Sequence, residues 1–231
     1  MKIVIISDLH GNYDALTALP ESYDELWVLG DLVDYGPQPG NVVDFVRKKT
    51  DVLVRGNHDQ AVGFDEDPRC TPRYHDMAEQ TRQFCLAALS PQQKEFLRNL
   101  PVHLEVERKG TRFYLCHARP SDPLYGYCPE DSDQWEPELK TVGTDILLVG
   151  HTHTPFIRHI GSQIVANPGS LGQPKTKTGK AAACYAVWQD GRLELKQFIY
   201  PFENVIGKLA KLPVTPEVLQ DLATVLRTGA V

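Results

Sequence analysis

An α/β domain built on a mostly parallel sheet is what this sequence predicts, and three observations predict it. Five short runs, residues 3–6, 26–29, 52–54, 113–116 and 146–149, are nearly continuous in apolar, largely β-branched side chains, the character of strands covered on both faces. Segments of helical character lie between them, as in α/β alternation. Each run leads at once into an Asp, Asn or His.

A chain of 231 residues with 42% hydrophobic content can bury a sizeable core, and we expect one domain over residues 1–231. The net charge is −6 and the longest basic cluster is Arg47-Lys48-Lys49, which leaves no electrostatic footprint for nucleic acid or an anionic membrane. Cys70, Cys85, Cys116, Cys128 and Cys184 are odd in number and form no C-x-x-C pair. Free thiols in a cytoplasmic protein fit this better than a disulfide framework or a thiolate zinc site. The first apolar run is too short to span a membrane and no small-residue cleavage signal comes after it, so it reads as a strand.

Taken in order, residues 13–19 and 41–49 come after the first two runs as helices. Residues from about 60 to 100 read as a helical insertion or cap, with one marked start: Ser90 as N-cap, Pro91 at the first helical position and Gln93 as capping-box partner. Residues 102–107 and 112–116 form a hairpin around Lys109-Gly110. Beyond residue 164 the pattern turns antiparallel, with 184–188 and 193–199 joined at Asp190-Gly191. Two helices close the chain, the last opening at Thr215-Pro216-Glu217.

The chemistry lies at the carboxyl ends of these strands. The first run leads into Ser7-Asp8-Leu9-His10, the second into Gly30-Asp31, the third into Gly56-Asn57-His58-Asp59, the fourth into His117 and the fifth into Gly150-His151-Thr152-His153. Ligands of open α/β sheets bind outside the carboxyl ends of the strands, so these distant residues can converge. In extended backbone Asp8 and His10 share a face, as do His151 and His153. Carboxylates, imidazoles and an amide oxygen, with no thiolate, suit divalent transition ions. The two oxygens of Asp31 can bridge a pair of them. Two ions about 3.5–4 Å apart stabilise both the attacking and leaving oxygens of a phosphoryl displacement and bring the pKa of bound water toward about 7. His58, beside Asn57 and spare as a ligand, is placed to protonate the leaving group, with Asp59 to hold its ring.

The ordered blocks Asp8-x-His10, Gly30-Asp31-x-x-Asp34-x-Gly36, Gly56-Asn57-His58-Asp59, His117 and Gly150-His151-Thr152-His153 resemble the calcineurin-like metallophosphoesterases, over roughly residues 1–170. The resemblance implies a four-layer α-β-β-α sandwich of two mixed sheets. It implies one metal at Asp8, His10, Asp31 and His153 and a second at Asp31, Asn57, His117 and His151, Mn²⁺ first, with Fe, Zn²⁺, Ni²⁺ or Co²⁺ as alternatives. Asn57 and His58 would also meet the substrate. The blocks from Gly30 to Pro37 and Asn167-Pro168-Gly169-Ser170 look like the small bacterial and archaeal phosphodiesterase branch. Protein serine/threonine phosphatases and dinucleoside tetraphosphate hydrolases usually carry Arg where this chain has Tyr35, so one phosphate clamp is missing.

The activity expected is hydrolysis of a small, nucleotide-type phosphate ester, by a phosphodiesterase or phosphatase. The competing readings are a dinucleoside polyphosphate or protein phosphatase, a dinuclear peptidase, and a non-catalytic scaffold like the retromer subunit that shares this fold. A homo-oligomer is compatible with the sequence. Weaker signals are Asp34, a metal-shell support or a turn cap; Arg55, a phosphate contact or an ion pair; and Lys175, Lys177 and Lys180, an anion-attracting loop or a solvated one. Tyr125, Gly126, Tyr127 and Trp135 read as a loop packed onto the sheet or a stacking surface for a base. His75, His103 and His159 read as ordinary surface histidines, and Cys116 as a buried apolar residue.

Overall fold

A computed structural model describes residues 1–176 and 181–230. The chain forms two sheets rather than one. The first holds β1 (Lys2–Ile6), β2 (Glu25–Val28), β8 (Ala183–Gln189) and β9 (Arg192–Phe198) in the order β2-β1-β8-β9. The second holds β3 (His103–Arg108), β4 (Thr111–Cys116), β5 (Ile146–Leu148), β6 (Phe156–Ile160) and β7 (Gln163–Asn167) in the order β3-β4-β5-β7-β6. Only β1–β2, β4–β5 and β5–β7 are parallel. The mostly parallel sheet expected from the apolar runs is therefore replaced by two mixed sheets.

Strand alternation builds the layers. Ile3, Ile5, Trp27, Phe113, Leu115, Ile146, Leu148 and Trp188 point into the space between the sheets. There the Phe113 ring meets Trp27 at 4.9 Å and Trp188 at 5.4 Å, both edge-on, a favourable aromatic geometry. The alternate residues Val4, Ile6, Leu26 and Val28 face helices on the outside of the first sheet. These helices are α1 (Tyr13–Thr17), α2 (Pro39–Lys49), α3 (Asn57–Phe64), α4 (Pro72–Ala88), α5 (Pro91–Asn99), α7 (Phe202–Leu209) and α8 (Pro216–Thr228). Tyr114, Cys116, Leu147 and Val149 face the outside of the second sheet, packed under Trp135 and Leu139 of α6 (Trp135–Val142). The result is an α-β-β-α sandwich.

Several local expectations meet their elements. Ser90 Oγ accepts the Gln93 N–H and Gln93 Oε1 accepts the Ser90 N–H at 3.2 and 3.0 Å, starting α5. Thr215 accepts the Val218 N–H at the start of α8. Lys109 and Gly110 turn the β3–β4 hairpin in left-handed backbone. The apolar run at residues 52–54 makes only one parallel bridge, Val28 to Leu53. It stops there because the Arg55 N–H goes to the Pro101 carbonyl and the chain enters α3 at Asn57. The acid-rich stretch after His117, expected to be loop, contains α6, and the β6–β7 hairpin comes after Gly150-His151-Thr152-His153. Residues Met77, Ala78, Cys85, Leu89 and Leu97 of the 60–100 segment share one core with β1 and β2. Among the described residues no helix is long and apolar enough to cross a membrane.

Candidate metal centre

The loops leaving β1, β2, β4 and β5, together with the start of α3, meet at one edge of the sandwich. They are tied to each other by backbone bonds: Asp8 N–H to the Gly30 carbonyl, His10 N–H to Asp31, and Gly150 N–H to His117. Asp8, His10, Asp31, His151 and His153 all have positive φ, between 45° and 64°. Extended-strand alternation, expected to aim Asp8 and His10 together, is thus not what does so. Left-handed turns do, and residues held in this sparsely populated backbone cluster at functional sites. Asn167 and Ser170 brace these turns. Asn167 Nδ2 donates to the Gly150 carbonyl at 2.6 Å, and Ser170 Oγ donates to the Asp8 carbonyl at 2.8 Å.

Close backbone approach completes the frame. A Cβ on Gly56 would lie 2.0 Å from Asp31 Oδ1, and one on Gly150 would lie 2.0 Å from Ser7 Oγ. Only glycine fits at either position.

One atom each from Asp8, His10, Asp31 and His153 lies within 4.8 Å of the others, and all four residues are buried. The second group gathers beside it. Asn57 Oδ1 lies 3.1 Å from both His117 Nε2 and His151 Nδ1, and His117 Nε2 lies 3.2 Å from Asp31 Oδ2. Asp31 Oδ2 is also 3.7 Å from His10 Nε2, so this oxygen stands between the two groups. The other, Oδ1, accepts the His58 N–H at 2.9 Å. Oδ2 is thus the Asp31 oxygen that faces both groups.

Backbone carbonyls fix the ring tautomers. His10, His117 and His153 each donate Nδ1–H to a carbonyl, those of Val33, Leu29 and Gln173, at 3.0, 2.7 and 2.6 Å. Each Nε2 is thereby turned toward the centre, the arrangement that orients metal-ligating histidines. Asn57 Nδ2 donates to the Pro68 carbonyl, which turns Oδ1 inward. The consequence is a mismatch that a cation would relieve: Nε2 of His10 and His153 face each other at 3.1 Å, and Asp8 Oδ2 is buried without a hydrogen-bond partner. The residues present therefore fit a divalent ion.

The donors divide in their protonation: burial opposes a charge on His117, but Asp31 and Asp8 outweigh it and raise that ring to about 9, so it holds a proton that a bound cation would displace. Burial pushes the His10 and His151 rings down to about 3, so both are neutral. Burial alone would raise Asp8, but the charge and hydrogen bond of His153 and the charge of His117 outweigh it and hold the carboxyl at about 2. Asp31 is likewise held well below the ordinary range against burial, by the charges of His117 and His58 and the His117 hydrogen bond.

His58 sits beside this cluster, its ring 5.0 Å from that of His10. Asp59 does not hold it. As the third residue of α3, Asp59 turns the other way, and its carboxylate accepts the N–H groups of Asp31, Leu32 and Gly56 at 2.9, 2.8 and 3.0 Å. The carboxylate on His58 is Asp34, whose Oδ2 lies 2.7 Å from Nδ1. Burial opposes a charge on His58, yet Cys70, Asp31 and Asp34 more than offset it and hold the ring well above the ordinary histidine value.

A cavity of about 290 Å³ opens over the cluster, with Asp31, Asn57, His58, His151 and His153 in its floor. Its walls come from Tyr35, Arg69, Cys70, Tyr74, Tyr125, Tyr127 and Lys175. Cys70 belongs to no sequence motif, yet its Sγ lies 3.5 Å from His58 Nε2 and 3.4 Å from the Tyr35 hydroxyl. Nothing local marks it, because it reaches the site on the connection between α3 and α4. Arg55 stays away: Nη1 donates to the Arg98 carbonyl and the guanidinium lies over Phe64. Trp135 is buried under the second sheet, and its Nε1–H donates to the Pro129 carbonyl. His75, His103 and His159 are exposed. Lys177 and Lys180 lie outside the described residues.

Residues 1–190 match the calcineurin-like phosphoesterase superfamily domain. The chain belongs to this superfamily. A curated relative, the Methanocaldococcus jannaschii protein MJ0912, is 28% identical over 230 residues, 90% of this chain and 92% of its own. The symmetrical bis(5'-nucleosyl)-tetraphosphatase of Psychromonas ingrahamii is 40% identical over 67 residues only, 26% of this chain and 24% of its own. Among solved structures, the metallophosphoesterase from Sphaerobacter thermophilus has a TM-score of 0.79 at 24% identity, covering 97% of this chain and 98% of its own. The Pyrococcus horikoshii protein PH1004 has a TM-score of 0.82 at 23% identity, covering 99% and 98%. These two share the sandwich fold of this superfamily member.

Proposed function

We propose that this superfamily member is a metal-dependent phosphoesterase that hydrolyses a small phosphate ester, and that Asp8, His10, Asp31 and His153 hold one ion while Asp31, Asn57, His117 and His151 hold a second. The observation that carries the reading is Asp31 Oδ2, which stands between two donor groups that converge. Divalent ions bound there would supply positive charge to the phosphoryl oxygens and activate water. We read Mn²⁺ as the first candidate, since the donors are carboxylate, imidazole and amide with no thiolate.

The chain's own residues do the rest. Asn57 presents Oδ1 to the floor while Pro68 holds its amide. His58 lines the cavity, and we assign it the delivery of a proton to the departing alkoxide. Asp34 positions that ring through Nδ1. A purely scaffolding role is not favoured, because a scaffold needs neither a donor cluster nor a buried histidine–carboxylate pair at the mouth of a cavity.

The test is an assay of the Mn²⁺-loaded protein against bis-p-nitrophenyl phosphate, p-nitrophenyl phosphate and an aminoacyl anilide, beside H58A. We expect turnover of a phosphate ester, none of the anilide, and a loss of roughly 10²–10⁴-fold in kcat for H58A. No turnover of either phosphate by metal-loaded protein would sink the reading.

A further inference from the structure

Two cations stand in the wall of the cavity without an anion. Lys175 Nζ lies over the Tyr74 ring at 5.0 Å and the Arg69 guanidinium over the Tyr125 ring at 4.3 Å, and both residues line the space above the metal-ligating floor. Neither has a carboxylate partner among the described residues. Lys175 is half-buried, and burial lowers its pKa although Asp8 and Cys70 oppose the shift. A partly desolvated ammonium with no carboxylate in ion-pair contact gains from an anion that joins it. Each charged head stands over a tyrosine ring, which contributes a cation–π attraction but no counter-charge.

Their position says which anion. Lys175 comes two residues after Gln173, whose carbonyl fixes the His153 ring, and Arg69 precedes Cys70, which touches His58. The two cations thus come from separate chain segments and line one cavity above the floor. The reacting phosphoryl group belongs on the floor, so the wall cations meet another part of the same molecule. Tyr127 adds a third feature: it is 61% exposed, its ring is 6.2 Å from His151, and no described group bonds its hydroxyl. A free aromatic face at the mouth suits a planar ring. The cavity of about 290 Å³ lies just below the roughly 300–1,000 Å³ of drug-sized ligand sites, which limits the occupant to one small molecule.

We propose that Lys175 and Arg69 form an anion-binding wall above the metal-ligating floor, and that the substrate is a nucleotide bearing a second phosphoryl group beyond the one attacked, its base against Tyr127. The proposal rests on the phosphoesterase reading for the identity of the floor. The pair supplies from the wall the positive charge that an Arg at position 35 would have supplied; Tyr35 itself is buried between the His10 and His58 rings.

The test is calorimetric titration of Mn²⁺-loaded wild type, K175A, R69A, K175R and Y127A with adenosine 5'-diphosphate, adenosine 5'-monophosphate and inorganic phosphate. Wild type binds the diphosphate at least tenfold more tightly than either other probe. K175A and R69A each weaken diphosphate binding about tenfold or more, the scale of a lost charge-assisted hydrogen bond, with a much smaller effect on inorganic phosphate. K175R keeps the preference, and Y127A weakens both nucleotides but not phosphate. Equal affinity of wild type for the three probes, or equal losses for diphosphate and phosphate in K175A, overturns the proposal. Turnover of p-nitrophenyl esters without diphosphate preference removes the wall and leaves the phosphoesterase reading standing. Diphosphate preference without any turnover leaves the wall and removes that reading.

Discussion

His58 is held by Asp34 and not by its sequence neighbour Asp59, and the two carboxylates therefore fail differently when changed. Asp59 accepts three buried backbone N–H groups, so D59A leaves donors unsatisfied at about 1–3 kcal/mol each. A drop in thermal stability is the expected result, measurable by calorimetry. D34N leaves those bonds intact and removes the charge 2.7 Å from His58 Nδ1. It should reduce kcat for the phosphate esters by more than tenfold with KM and melting temperature little changed, because Asp34 acts through the ring it positions. A D59A protein as stable as wild type would contradict the assignment. The sequence could not separate these roles, because adjacency to His58 favours Asp59 while helix geometry turns Asp59 away. Residue types were legible in it. Which neighbour each one faces depends on α3, whose first turn carries Asn57, His58 and Asp59 in three directions.

The elements that matter most are the turns after the strands. Their positions could be read from the ends of the apolar runs, but the left-handed backbone at Asp8, His10, Asp31, His151 and His153 could not, since none of these types demands positive φ. The glycines beside them are a better signal. G56A would drive a Cβ into Asp31 Oδ1, and we expect it to abolish metal uptake while costing about 1–3 kcal/mol of stability. Equilibrium dialysis with Mn²⁺ checks the first effect and denaturant titration the second. In the first sheet, Glu21 links β1 to β9, with Lys2 Nζ at 2.8 Å and Lys196 Nζ at 2.9 Å. The hydrogen bonds from Lys196 and Lys2 lower its pKa from 4.5 to about 2. A depressed folded-state pKa contributes stability that is complete above the unfolded value and fades as pH falls toward about 2. E21Q should thus cost about 1 kcal/mol near neutral pH, and its melting curve should converge on that of wild type at the acid end of this window. A constant gap between the two from pH 7 down to about 2 would contradict the ion cluster's role.

At the scale of the whole molecule, the layer between the sheets holds the two halves of the site in register. β1 and β2 carry Asp8, His10 and Asp31 on one sheet, while β4 and β5 carry His117, His151 and His153 on the other. The sequence alternation showed which side chains of each strand were apolar, but not that the runs belonged to different sheets, because pairing across 100 or more positions leaves no local mark. The ordered motif blocks did imply two sheets, through the resemblance they carry. Phe113, fully buried against Trp27 and Trp188, lies at the centre of that layer. F113A should cost about 3–5 kcal/mol and weaken metal binding along with stability, since the sheets carry opposite halves of the donor set. The proposed function depends on these halves closing around a pair of ions that would share Asp31. Elemental analysis of the Mn²⁺-dialysed protein tests this most directly. Two ions per chain in wild type, one in an N57A/H117A variant and none in D31A/H10A is the predicted result; a wild-type chain that retains one ion or none would contradict it.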